Sequence, residues 1–145
     1  MKTRLTFIVI LLALCSCGKE TPQIEYLEVN RNNISGSWKL DSWNSEPMLE
    51  GSYFYINLVR NDGTYTIRQN LDGFPESGRT ITGSYDLRDE EGVGTIISGL
   101  YDHDSGFWSH EYVIRKLTAD SMEWTALDDG SFVQTFSRTD GSVFE

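Results

Sequence analysis

Cysteine is nearly missing from this chain. Its 145 residues include two, Cys15 and Cys17. Beyond Cys17 there is no thiol nucleophile, no zinc–thiolate set and no disulfide, so whatever folds there is held by its core alone. Long apolar runs are missing too. The N-terminal run Phe7 to Leu14 is about eight residues, against the roughly twenty that cross a bilayer as a helix. Positive charge is scarce, with 12 Lys and Arg against 22 Asp and Glu, a net −10. The bases at Arg60, Arg68, Arg79, Arg88, Arg115 and Lys116 are scattered rather than strung together. That excludes a nucleic-acid surface, where stripes of Lys and Arg dominate affinity. It also excludes electrostatic adhesion to an anionic bilayer. No window carries a convincing apolar stripe at i, i+3, i+4 and i+7, so an α-helical body is excluded as well.

What remains is period-two alternation broken by turn residues. Gly36, Trp38 and Leu40 share one face and Ser37, Lys39 and Asp41 the other. Phe54, Ile56 and Leu58 follow, then the turn Arg60-Asn61-Asp62-Gly63, in which Asp-Gly supplies the positive φ of a tight hairpin. Tyr65 and Ile67 continue. Ile81, Gly83, Tyr85 and Leu87 form the next alternating set, and Asp89 to Gly92 turns the chain into Val93 to Tyr101. Tyr112 and Ile114, then Met122, Trp124 and Ala126, then Phe132 to Ser137 complete the series. About eight short strands joined by hairpins predict an all-β fold, an antiparallel up-and-down barrel. Asn70 to Arg79, with Gly73, Pro75 and Gly78, reads as a loop, and Thr139 to Glu145 as a frayed end. Residues 18–33 read as a spacer, with a faint alternation at Ile24, Tyr26, Leu27 and Val29 that also suits an edge strand or a docking arm.

Two resemblances sharpen this. Lys2 and Arg4, the apolar run and Leu14-Cys15-Ser16-Cys17 resemble a bacterial lipoprotein signal. The small Ser16 before Cys17, against the bulky Leu14 before Cys15, favours cleavage after Ser16 and acylation of Cys17. Three parts are expected: a signal peptide over 1–16, the lipidated Cys17 with a tether over 17–33, and a barrel domain over 34–140. Without residues 1–16 the balance is 10 bases against 22 acids, or −12. Gly36-Ser37-Trp38-Lys39-Leu40, with Asp62-Gly63-Thr64-Tyr65, Gly83-Ser84-Tyr85-Asp86-Leu87 and the strand–turn–strand Leu117 to Trp124, resembles the small lipocalin-like lipoprotein domains of Bacteroidetes. That resemblance implies a calycin-like barrel plugged at one end by Trp38, with Arg138 stacked on the indole. The chain departs from the larger lipocalins in being shorter, in lacking their paired cysteines and in showing no C-terminal helix.

Catalytic patterns are thin. Asp102, His103, Asp104 and His110 offer metal-ligating groups, but Gly106 stands where a third acidic ligand is wanted and no bidentate glutamate follows. Ser105 and Ser109 lack a Gly-x-Ser-x-Gly elbow. Carboxylate pairs such as Glu111 with Glu123, or Asp86 with Asp102, are what an acid-rich chain supplies by chance. The expectation is a non-enzyme with no cofactor and no metal. Aromatics, at 12% of residues, are the better lead. Trp38, Tyr65, Tyr85 and Trp124 are the expected ligand-binding set, and Phe107 with Trp108 an exposed pair at a rim. The expected function is binding of a small apolar ligand by a protein anchored through lipid in the bacterial cell envelope, at the outer membrane. The alternative is a structural or accessory lipoprotein with a filled barrel that works by protein contact.

Overall fold

A computed structural model describes residues 18, 20–73 and 78–145. The signal segment and Cys17 lie outside the described residues. Among the described residues nine strands form one antiparallel sheet: β1 (Gly36–Trp43), β2 (Glu46–Pro47), β3 (Phe54–Leu58), β4 (Thr64–Gln69), β5 (Arg79–Glu90), β6 (Gly94–Tyr101), β7 (Tyr112–Arg115), β8 (Ser121–Ala126) and β9 (Val133–Thr139). β2 is a two-residue addition to β1. The other eight run up and down in chain order, and β9 pairs back onto β1. This is a closed eight-stranded up-and-down barrel, the all-β architecture that the alternation and hairpin turns predict. Closure satisfies the backbone groups that an open eight-stranded sheet would expose along two edges.

The ends of the barrel differ. At one end the short turns 59–63, 91–93 and 116–120 meet the chain that enters at β1. A helical turn, α1 (Arg31–Ile34), caps this end, its third amide held by the Asn30 side chain, which accepts from Asn33 N at 2.9 Å. Ile34 and Trp38 are wholly buried, and Trp38 Nε1 donates to the Ile34 carbonyl at 2.8 Å. The Arg138 guanidinium lies 4.1 Å from the Trp38 ring centroid and donates to the carbonyls of Ser35, Asn33 and Ala119. Leu40, Leu58, Tyr85, Leu117 and Met122 fill the barrel above this plug. Burial of each such side chain contributes about 1.5–3 kcal/mol.

One terminal expectation is narrowed and the other corrected. The segment read as a spacer takes, in its second half, the docking-arm form that its alternation also suited. Leu27 N donates to the Leu117 carbonyl, and Leu27 and Val29 pack against the core. The C-terminal end is not frayed: β9 runs to Thr139, a 3-10 turn follows at Ser142–Phe144, and Arg68 hydrogen-bonds the Val143 carbonyl. Both segments find partners on the barrel that lie far away in sequence. No helix among the described residues is long and apolar enough to cross a membrane.

Candidate functional site

The opposite end of the barrel is a mouth. The longer connections gather there: 44–53, the described residues 70–73 and 78 between β4 and β5, 102–111 and 127–132. Between them the barrel is not filled. A cavity of about 420 Å³ opens there, within the range of small-molecule sites. Every one of the eight barrel strands contributes to its wall. Ile56 and Ile67 form the floor, and Phe54, Ile81, Tyr101, Tyr112, Trp124 and Gln134 stand above them. Trp43, Trp108 and Phe132 complete the aromatic lining.

Trp43 reaches the cavity through a bulge. On β1 the partners of β9 skip Asp41, since Leu40 faces Phe136 and Ser42 faces Thr135. One extra residue reverses the alternation, so that Trp43 rather than Ser42 turns inward. Trp108 reaches it by another device. The chain after β6 folds back along it, with Trp108 N donating to the Gly99 carbonyl and Leu100 bridged to Phe107. The indole then lies across Gly99, where an added Cβ would stand 2.1 Å from Trp108 Cε2. Only a residue without a side chain fits beneath that ring. Trp108 Nε1 donates to Tyr65 Oη, which donates in turn to the Leu100 carbonyl. Trp108 stacks on Trp124 at 5.9 Å, Trp124 meets Tyr112 at 5.4 Å, and Phe132 meets Trp43 edge-on at 4.9 Å. One continuous aromatic wall results.

The polar groups of the mouth are largely paired among themselves. Asp72 holds Arg79 at 2.7 Å and accepts from Gln69 Nε2 at 2.8 Å. His110 Nδ1 lies 2.8 Å from Asp128 Oδ1. Burial pushes the Tyr112 hydroxyl up to about 12, and the Tyr65 hydroxyl to about 12 against the opposing pull of its Trp108 hydrogen bond. Both phenols are therefore neutral near pH 7. Gln134 stands apart. It is 6% exposed, it lines the cavity, and its carboxamide makes no hydrogen bond to a described residue.

The residues singled out in the sequence are distributed as follows. Trp124 and Trp108 line the cavity. Tyr65 sits behind Trp108, as its hydrogen-bond partner. Trp38 and Tyr85 lie in the filled half, Tyr85 with its hydroxyl on the Val59 carbonyl and Arg31 over its ring. The pair Phe107 and Trp108 is split by the strand alternation, the indole inside and Phe107 76% exposed. Trp43, Tyr101, Tyr112, Phe132 and Gln134 were not singled out. The last two were within reach, since stepping back by twos from buried Phe136 arrives at both. Among the described residues no group of three or more His, Asp or Glu converges to hold a metal. His103 lies against Asp104, and His110 against Asp128. Leu49, Leu71, Phe107 and Leu127, one on each mouth connection, are exposed. No protein-family model matches the chain, and comparison with curated proteins finds no match either.

Proposed function

We propose that this chain is a non-catalytic, lipid-anchored envelope protein of the lipocalin-like type, which holds a small, largely apolar ligand in the mouth of its barrel. The observation that carries this is the aromatic cavity of about 420 Å³, walled by all eight strands. A barrel with no ligand to hold gains nothing from an unfilled half, because each unfilled volume forfeits packing. The ring of Leu49, Leu71, Phe107 and Leu127 suits the entry of an apolar molecule. The anchor rests on the signal-like N-terminus, with Cys17 as the acylated residue and the outer membrane as the address.

Native mass spectrometry after incubation with a lipid-rich envelope extract tests the carrier reading. The expected result is a discrete mass shift that disappears when Trp124→Ala and Trp43→Ala are combined. Repeated recovery of the bare chain would remove the main support. Metabolic labelling with a fatty acid tests the anchor separately: the label is expected on the native chain and lost in Cys17→Ser. The second reading, an accessory lipoprotein acting by protein contact, is favoured by the same four exposed apolar residues. It predicts crosslinks from Phe107 to an envelope protein and no small-molecule mass shift.

A further inference from the structure

The least explained group in the molecule is the side chain of Gln134. Its neighbours across the strands are Trp43 on β1 and Trp124 on β8, and all three side chains reach the cavity. Two indoles thus flank one carboxamide in a single row. Amides turned into a protein interior normally find protein partners. The other carboxamide of the cavity, Gln69, follows that rule: its Nε2 donates to Asp72 and its Oε1 accepts from Leu71 N. Gln134 is 6% exposed and its carboxamide makes no hydrogen bond to a described residue, so its polar atoms stay open to the cavity rather than sealed in packed protein. Its donor and its acceptor both remain for something that enters the cavity.

We propose that Gln134 is the selecting residue of this site, and that the ligand is an uncharged ring compound carrying an amide or lactam edge. This rests on the carrier reading above. A carboxamide offers an N–H and a C=O side by side, and an amide edge returns the complementary pair. The flanking indoles favour a flat ring, which can stack on either face. The ligand is uncharged because no charge stands ready to receive one. Arg79 is held by Asp72 and His110 by Asp128, while Tyr101, Tyr112 and Gln134 are neutral. An ionised group carried in beside Gln134 would be desolvated without a counter-charge.

The test compares three probes of similar size: naphthalene carboxamide, methylnaphthalene and naphthoate. Binding is followed by quenching of tryptophan fluorescence in the full chain carrying Cys17→Ser. The carboxamide is expected to bind about tenfold tighter than methylnaphthalene, the upper end of what one neutral hydrogen bond contributes. Gln134→Leu is expected to remove that advantage while keeping methylnaphthalene affinity and the native near-ultraviolet dichroism. Gln134→Met serves if the leucine variant does not fold. Equal affinity for carboxamide and methylnaphthalene overturns the role of Gln134 and leaves the carrier reading standing. Tightest binding of naphthoate overturns the uncharged class. Failure of all three probes to quench overturns this inference and the carrier reading together.

Discussion

Arg138 concentrates several contacts in one side chain. Its guanidinium covers Trp38 at 4.1 Å and donates to three carbonyls, those of Ser35, Asn33 and Ala119. These bonds tie the N-terminal cap, β9 and the β7–β8 turn into one closed end. Arg138→Ala is expected to lower stability by about 3 kcal/mol, since charged hydrogen bonds and a cation–π contact are lost together. Arg138→Lys recovers less than half, because an ammonium cannot serve three diverging carbonyls while lying flat on an indole. Denaturant midpoints of the two variants check this; equal midpoints for arginine and lysine would show that charge alone matters. At the mouth, Gly99→Ala is a complementary probe. The new methyl would stand 2.1 Å from Trp108, so the indole must leave. A loss of about 1–3 kcal/mol is expected, with a changed tryptophan emission spectrum. The plug was legible in the sequence through the resemblance carried by Gly36-Ser37-Trp38, which implied Arg138 on the indole, while strand parity put Trp38 on the same face as Leu40. The cavity wall was less so. Trp43 is out of phase with Trp38 by the one residue of the bulge, and no residue type at Asp41 announces a bulge.

The same contrast holds for whole elements. The hairpin announced by Asp62-Gly63 came out where expected: Gly63 has φ +66°, and Asp62 accepts from the Thr64 amide and hydroxyl. Such turns are local, and local chemistry decides them. The N-terminal segment is decided by distant partners. Its faint alternation suited a docking arm but did not name the partners: Leu27 pairs with Leu117, and Arg31 reaches Asp86 at 3.1 Å. A chain beginning at Leu27 is therefore expected to match the full domain in thermal stability. One beginning at Ile34 loses the Asn30 cap, the Leu27 strand contact and the covering of Tyr85 by Arg31. A loss of about 2–4 kcal/mol follows from a missing cap and two missing apolar contacts. Equal melting of the two truncations would mean that the arm merely rests on the barrel. The β6–β7 connection is the other element that sequence could not place. Its polar stretch Asp102 to Ser105 reads as a solvated loop, yet the next residues pair back on β6 and deliver Trp108 inside.

At the scale of the molecule the two halves of the barrel differ in what they bury. The closed half is a dry core around Trp38, whereas the mouth half is walled by phenols and indoles around open space. The phenols make this division measurable through pH. Tyr65 and Tyr112 each ionise at about 12 in the folded chain, because burial disfavours the phenolate. In the unfolded chain each ionises at about 10. A folded value raised above the unfolded one means that the native state holds the proton more tightly. The stability contributed by the neutral phenols is then fully present below about pH 10 and is lost as pH rises through about 12. Unfolding in alkali is expected inside that window, with the two buried phenols ionising in step with the loss of near-ultraviolet dichroism. Phe substitutions at the two positions separate the contributions. Tyr112→Phe removes a hydroxyl that burial chiefly perturbs, with Tyr101 and Asp128 adding to it, and is expected to shift the alkaline midpoint upward. Tyr65→Phe also removes the acceptor of Trp108 Nε1 and the donor to the Leu100 carbonyl. It is expected to gain in alkali while losing stability at neutral pH. If both phenols ionise near 10 with the dichroism intact, the mouth is open to water down to Tyr65, and the wall built from Tyr65, Trp108, Trp124 and Tyr112 does not shield it.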